Sequence, residues 1–149
     1  MTLTEILALP PERLVPQRPP ILMVDGVRAI DGADVTSHFT IRPDDLLVED
    51  GALLEAGLIE NMAQTAALRS GVMALINAPT DGTEVRPPVG FIGAVKDFVL
   101  VRRPALGATL HTTVSVINDM GRFLVVRANA TDAQGPCAQC EMTIFISEG

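Results

Sequence analysis

ALLEAGLIENMAQTAALRSGVMALI, residues 52–76, is the stretch that decides the fold, because it is the most apolar helix candidate in the chain. Asn77 and Pro79 follow it and are typical of a helix end. The stretch is long enough to span a bilayer, but polar side chains would make insertion costly: Glu55, Glu60, Asn61, Gln64 and Arg69. The sequence therefore predicts one long, buried helix over residues 52–76 of a globular protein.

Segments with strand character lie on both sides of this helix. Residues 35–41 alternate cleanly, with Val35, Phe39 and Ile41 on one face and His38 between threonines on the other. The same kind of pattern, separated by turn signals, recurs after the helix. The predicted strands cover residues 21–30, 35–41, 89–101, 108–118, 122–131 and 137–146, and a short helix over residues 3–8 precedes them.

The order of these elements predicts the fold class. Successive strands joined by short turns form an antiparallel sheet. One face of such a sheet must be covered, and only one helix is long enough to cover it. We therefore predict an α+β hot-dog fold, in which a curved antiparallel sheet wraps around one long central helix, with residues 1–149 forming a single domain.

Composition restricts the function classes. The chain is 48% hydrophobic and 19% charged, with a formal net charge of −7, which argues against nucleic acid and anionic membranes as partners. Cys137 and Cys140 make no disulfide framework, and the N-terminus lacks the pattern of a signal peptide, so we expect a cytoplasmic protein. On a strand, the C-x-x-C spacing puts the two thiols on opposite faces, and we expect neither a metal nor a cofactor.

Three segments resemble a known family in order along the chain: residues 12–27 (ERLVPQRPPILMVDGV), 58–71 (LIENMAQTAALRSG) and 89–110 (VGFIGAVKDFVLVRRPALGATL). They are similar to the 3-hydroxyacyl-(acyl-carrier-protein) dehydratases of fatty-acid synthesis. The likeness is closer to the divergent dehydratase-like proteins of aryl-polyene-type gene clusters. The Glu-x-Met-Ala-Gln pattern at residues 60–64 is its most specific element.

The resemblance implies a chemistry for Glu60. In that family a histidine takes the C2 proton of a 3-hydroxyacyl thioester, while a carboxylic acid on the helix protonates the departing hydroxyl. The resemblance places this acid at Glu60 with Gln64 as its orienting partner, although a buried structural pair remains an equal alternative. A backbone N–H at Gly57 would polarise the thioester carbonyl, and close packing is the alternative there.

Small residues at helical spacing surround Glu60 and would leave room for an acyl chain or a second helix. Ala63 and Ala67 are the candidates that contact substrate, and Asn61 is a further one that would otherwise face a loop. Asp25, which looks like a proton-transfer group in isolation, is expected to make a structural hydrogen bond.

The family's histidine has no counterpart. The segment that carries it in the family corresponds to residues 44–57 (DDLLVEDGALLEAG), which contain none, and a second family histidine is Gln17 here. The two histidines present, His38 and His111, fall on outward faces of predicted strands. The acidic residues before the helix could supply a second carboxylate, but they are more typical of helix capping.

Arg102 and Arg103 form the one basic doublet of an acidic chain. Acyl-carrier protein is acidic and coenzyme A carries phosphate, so this doublet is the candidate docking point for either carrier. An ordinary solvated turn is the alternative.

Three functions remain open. The first is a dehydratase-like protein that acts on or binds 3-hydroxyacyl thioesters of acyl-carrier protein. The second is a non-catalytic, acyl-binding subunit that pairs with a catalytically complete paralogue. The third is an acyl-coenzyme A thioesterase that uses Glu60 without a histidine. In each case we expect at least a homodimer, because a single hot-dog domain leaves an apolar sheet edge exposed.

Overall fold

The computed structural model describes residues 1–147. Within these residues, two helices, eight strands and one 3₁₀ turn follow one another. In chain order they are α1 (Leu3–Leu7), the 3₁₀ turn (Pro11–Arg13), β1 (Gly26–Asp31), β2 (Asp34–Thr40), β3 (Val48–Glu49), β4 (Ala52–Leu53), α2 (Glu55–Ile76), β5 (Val89–Leu100), β6 (Thr109–Asp119), β7 (Phe123–Asp132) and β8 (Gly135–Ser147).

Six strands form one antiparallel sheet in the order β1-β2-β6-β7-β8-β5, and β3 and β4 form a separate hairpin. Helix α2 contacts every strand of the six-stranded sheet. The predicted hot-dog architecture is thereby confirmed, since one long helix lies in the curve of one antiparallel sheet. Among the described residues, no helix combines the length and the hydropathy that crossing a bilayer requires.

The core lies between α2 and the inner face of the sheet. Leu58, Met62, Leu68 and Val72 of α2 are fully buried. They join one cluster with the inward-facing residues of the strands, including Val35, Phe39, Leu110, Val114, Val126 and Met142. Each such large apolar side chain contributes about 1.5–3 kcal/mol when it is buried.

The predicted start of α2 at residue 52 was wrong by one turn. Ala52 and Leu53 belong to β4 and pair with Val48 and Glu49 of β3. Arg103 fixes this hairpin by donating to the carbonyl oxygens of Glu49, Ala52 and Leu53 at 2.7, 3.0 and 3.0 Å. A contact from fifty residues along the chain therefore decides where the helix begins.

The predicted start of β1 at residue 21 was also wrong, since the strand begins at Gly26. The backbone between residues 21 and 23 is bound by side chains of α2 instead of a neighbouring strand. Gln64 accepts from the N–H of Met23 at 2.6 Å and donates to the carbonyl of Ile21 at 2.9 Å. Asn61 donates to the carbonyl of Met23 at 2.7 Å. The N-terminal segment is thus fixed against the middle of α2.

Candidate functional site

Glu60 lies beside a cavity of about 210 Å³ that borders α2. Its side chain is half-buried. The cavity is lined by one carboxylate, Glu60, by two other polar side chains, Gln17 and Ser70, and by small or apolar residues. Most of the lining residues belong to α2, β5, β7 and β8, so the cavity is a slot between the helix and the sheet. Its chemistry suits an apolar chain with a polar group near Glu60.

Gln64 orients Glu60. Its Nε2 donates to Oε1 of Glu60 at 2.9 Å and its other contacts hold the backbone of residues 21–23. Gln64 is 0% exposed, so no water competes for these bonds. Within residues 1–147 no group bonds Oε2 of Glu60, which leaves that oxygen for a ligand. The pair therefore combines a structural anchor, Gln64, with an available carboxyl group.

Asn61 makes structural hydrogen bonds within this subunit. It is fully buried, donates to the carbonyl of Met23, and accepts from the hydroxyl of Thr112 at 2.6 Å. It does not line the cavity, and neither does Gly57. A Cβ at Gly57 would lie 2.4 Å from a methyl carbon of Leu53, so this glycine permits close packing of β4. Their predicted substrate roles stay predictions, and the packing favours the structural alternatives.

The small residues of α2 divide between two tasks. Ala63, Ala67 and Ser70 line the cavity, and the predicted contact of Ala63 and Ala67 with substrate stays a prediction. Gly71 instead lets the N-terminal segment pack closely against the helix, because a Cβ there would lie 2.0 Å from the carbonyl oxygen of Leu14. The stripe of small residues thus provides both the space for a ligand and the contact that positions one wall of that space.

No second proton-transfer group among the described residues lines the cavity with Glu60. His38 and His111 are cross-strand partners on the outer face of the sheet. Arg28 bonds the His111 ring at 3.0 Å. Burial, and then the nearby charge of Arg28, lower the pKa of His111. Among the described residues of this subunit Glu60 therefore has no histidine beside it in the cavity, and the absence of the usual histidine–glutamate pair stays a prediction.

Arg102 and Arg103 both have protein partners. Arg102 forms a bidentate pair with Asp132 at 2.9 and 2.5 Å, and this contact holds the pKa of the Asp132 carboxyl below its ordinary value. Arg103 binds the hairpin carbonyls described above. The docking role of the doublet stays a prediction, and these contacts favour a structural role for it.

Comparison with known proteins assigns the family. The model of the ApeP-like family, described as the ApeP dehydratase, matches residues 9–148. This chain belongs to the ApeP-like family. The resemblance seen in the sequence is thereby confirmed for nearly the whole chain. No sequence among the curated proteins matches it.

Solved structures similar to this ApeP-like protein include the dehydratase heterocomplex ApeI:P from Xenorhabdus doucetiae. The match has a TM-score of 0.82 at 16% identity and covers 94% of this chain and 92% of that chain. A hypothetical thioesterase with coenzyme A from Streptococcus pneumoniae has a TM-score of 0.61 at 11% identity, over 81% and 84% of the two chains. The PaaI protein of the E. coli phenylacetic acid degradation operon has a TM-score of 0.61 at 12% identity, over 83% and 79%. At these identities the likeness shows the fold alone.

Sequence reasoning missed several residues of the ApeP-like site. Gln17 lines the cavity from the N-terminal segment, and Phe91 and Ile92 line it from β5. Gln17 could have been found from its position, since it replaces a family histidine between Pro16 and Arg18. The β5 residues carried no such signal, because an apolar strand residue is ordinary in any sheet.

The remaining polar candidates have structural roles. Asp25 accepts from the backbone N–H of Thr40 at 2.7 Å and pairs with Arg42 at 3.0 Å. Cys137 and Cys140 are both buried free thiols. Burial raises the pKa of Cys140 to about 11. Among the described residues, no three His, Cys, Asp or Glu side chains form a cluster that could hold a metal ion.

Proposed function

We propose that this ApeP-like protein binds 3-hydroxyacyl thioesters in the cavity beside Glu60, with Glu60 as the acid that protonates the departing hydroxyl. We further propose that the base comes from a partner subunit across β5. The observation that carries the proposal is a half-buried carboxyl, oriented by a fully buried glutamine, at one side of a slot lined by small and apolar groups. Family membership supports the reaction class.

The reaction needs two proton transfers. A base removes the C2 proton, the electron pair of that C–H bond becomes the C2–C3 double bond, and the C3–O bond breaks. Glu60 gives its proton to the leaving oxygen, which departs as water, and the product is an enoyl thioester. The base is left protonated and Glu60 ionised, so one proton returns through solvent before the next turnover. In this subunit Glu60 can supply only the acid half.

The place for a missing base is the open edge of the sheet. Within residues 1–147, strand β5 pairs with β8 alone, and its residues Gly90, Phe91 and Ile92 line the cavity. A second subunit that pairs with β5 would therefore bring its own side chains to the mouth of the cavity. An imidazole or a carboxylate of that subunit would serve as the base. A similar structure is described as a dehydratase heterocomplex, which supports a different chain as the partner.

The carrier of the acyl chain is acyl-carrier protein or coenzyme A, both of which present a thioester on a phosphopantetheine arm. A similar structure holds coenzyme A, which supports a thioester ligand for this fold. The two free thiols suit a reducing compartment, so we propose that the protein acts in the cytoplasm.

The test is incubation of 3-hydroxyoctanoyl thioesters of both carriers with wild-type protein and with Glu60→Gln. Each protein is assayed alone and mixed with a histidine-containing dehydratase paralogue from the same genome. We expect enoyl product from the wild-type mixture beyond that of the paralogue alone, and loss of this excess with Glu60→Gln. Glu55→Gln, the same change at an exposed position in the first turn of α2 and outside the cavity, is the matched control and should keep the excess.

Three other outcomes would change the proposed role of Glu60 or the proposed partner. Equal product with wild type and Glu60→Gln would remove Glu60 from the chemistry. Full activity of the wild-type protein alone would show that a second copy of this chain is a sufficient partner. Release of free thiol without enoyl product would reassign the site to a thioesterase that uses Glu60 to activate water.

A further inference from the structure

A second cavity, of about 260 Å³, lies beyond the Glu60 cavity along α2. Its helix residues lie between Arg69 and Asn77, and Asp119 lines it from the end of β6. Within residues 1–147, four residues line both cavities and therefore stand between them: Ser70, Pro88, Leu124 and Ile146. These four residues, which we call the end wall, separate the Glu60 cavity from its neighbour.

The Glu60 cavity runs lengthwise along α2. The helix residues that line it begin with Glu60 and end with Ser70, ten residues or about 15 Å further along the axis. The sheet shows the same order, because Ile92 of β5 lines the Glu60 cavity alone, whereas Pro88, just before β5, lines both cavities. The carboxyl group of Glu60 therefore lies towards one end of the cavity, and the end wall lies at the other.

The lining decides which part of an acyl thioester fits between these ends. Between Glu60 and Ser70 the helix contributes alanines, and the described lining has one further polar side chain, Gln17. The pantetheine arm of either carrier has two amide groups, which lose their hydrogen bonds to water when they are buried without partners. A methylene chain has no such bonds to lose and gains from burial. With the 3-hydroxyl at Glu60, the acyl tail therefore runs along α2 towards Ser70.

The second cavity is a poorer place for an acyl tail than the first. It is the more open of the two to solvent. The hydrophobic gain depends on the apolar area removed from water, so a methylene beyond the end wall gains less than one beside the alanines of α2. The benefit of a longer chain should therefore stop at the end wall.

We propose that the end wall limits the length of the acyl chain, with Ser70 and Ile146 as the residues that set the limit. This inference rests on the proposed function, because it names the substrate class of the same cavity. An extended chain advances about 1.2 Å per bond, as an extended backbone does, so the 15 Å of the cavity hold about twelve bonds beyond C3. The substrates are therefore 3-hydroxyacyl thioesters of about fourteen carbons or fewer.

The experiment measures how binding depends on chain length. The ligands are 3-hydroxyacyl coenzyme A thioesters from hexanoyl to octadecanoyl, in steps of two carbons, titrated by calorimetry below micelle-forming concentrations. The protein is Glu60→Gln, which keeps a hydrogen-bonding group for the hydroxyl and blocks turnover. Each step should tighten binding about tenfold while the tail fills the cavity. We expect this gain to end near tetradecanoyl, and further steps should change the Kd less than about twofold.

Variants of the end wall should move this break in opposite directions. Ser70→Leu, added to Glu60→Gln, fills the far end of the cavity and should move the break at least one step towards shorter chains. Ile146→Ala deletes three carbon atoms from the wall and should move the break at least one step towards longer chains. Pro88→Ala tests the same wall should Ile146→Ala not fold. Ala74→Leu, one turn beyond Ser70 and lining the second cavity alone, is the matched control and should leave the break unchanged.

The outcomes distinguish this inference from the proposed function. A Kd that still falls tenfold per step at octadecanoyl, or a break that no end-wall variant moves, would overturn the chain-length limit and leave the acyl-thioester site standing. A break that Ala74→Leu moves as far as Ser70→Leu does would also overturn it, because the tail would then extend into the second cavity. If no chain length binds to Glu60→Gln or to wild-type protein, the proposed function fails and this inference fails with it.

Discussion

Glu60 and Gln64 are one helical turn apart and have different energetic roles. Gln64 satisfies the Met23 N–H and the Ile21 carbonyl as well as Glu60, all without water. Among the residues that the structure describes, Glu60 has one hydrogen-bond partner, Gln64, and it lines a cavity. The pair that the sequence offered as catalytic therefore separates into a residue that holds the N-terminal segment and a residue whose carboxyl group lines the cavity.

This difference in roles predicts that two substitutions have unequal effects on the free energy of unfolding. Gln64→Leu leaves a backbone donor and a backbone acceptor of the N-terminal segment unpaired, so we expect it to lower the free energy of unfolding by about 2–4 kcal/mol. Glu60→Gln keeps an acceptor for Gln64, and we expect a change within about 0.5 kcal/mol. Urea unfolding followed by circular dichroism measures both. Equal losses would mean that Glu60 is a structural residue as well.

The thiols give a second prediction for single residues. Burial raises the pKa of Cys140 to about 11, and burial also raises the pKa of Cys137. Since the thiolate is the reactive form, we expect a disulfide reagent at pH 8 to label the folded protein far more slowly than a free cysteine. Denaturant should expose both thiols at once, and native labelling should quicken as pH rises towards 11. Fast labelling of the folded protein at pH 8 would contradict the burial of the two side chains.

At the scale of elements, the sequence predicted the long helix and the sheet because both depend on periodicity. Leu53 and Leu54 fit a helix as well as a hairpin, so the pattern could not show that α2 begins after them. The deciding contact comes from Arg103, far along the chain. The same limit explains why the position of Gln17 at the cavity was not predicted. The Glu-x-Met-Ala-Gln pattern located Glu60, but the other residues that line its cavity depend on how the N-terminal segment crosses α2.

The close contact between the N-terminal segment and α2 predicts how a substitution in the helix changes stability. Gly71 of α2 lies against the backbone of Leu14, and an added Cβ would be 2.0 Å from its carbonyl oxygen. Because backbone cannot move aside cheaply, we expect Gly71→Ala to destabilise the protein by about 1–3 kcal/mol despite the higher helix propensity of alanine. Gly90→Ala on β5 is the matched control, since its Cβ would meet Ile144 at 3.4 Å, an ordinary contact. A Gly71→Ala protein as stable as wild type would show that the N-terminal segment packs elsewhere.

At the scale of the whole molecule, the two edges of the sheet differ. Strand β1 is short and carries Arg28 and Asp31 on its exposed part, which discourages pairing with another chain. Strand β5 has twelve residues and exposes Phe91, Val95 and Val99 by 60, 37 and 47%. A long apolar edge of this kind is the natural place for a second subunit, and it is also the wall of the Glu60 cavity.

The last prediction concerns this edge. We expect wild-type protein to sediment as a dimer or larger assembly at micromolar concentration, and Val95→Lys to weaken that assembly by at least about tenfold. The lysine sits opposite Met142, which faces the core, so pairing of another strand there would bury its charge. Ala29→Lys on β1 is the matched control and should leave the sedimentation unchanged. A wild-type monomer that assembles only with a dehydratase paralogue, and loses this with Val95→Lys, would assign the edge to a heteromer. Assembly unaffected by Val95→Lys would move the interface away from β5 and remove the route by which a partner's base reaches Glu60.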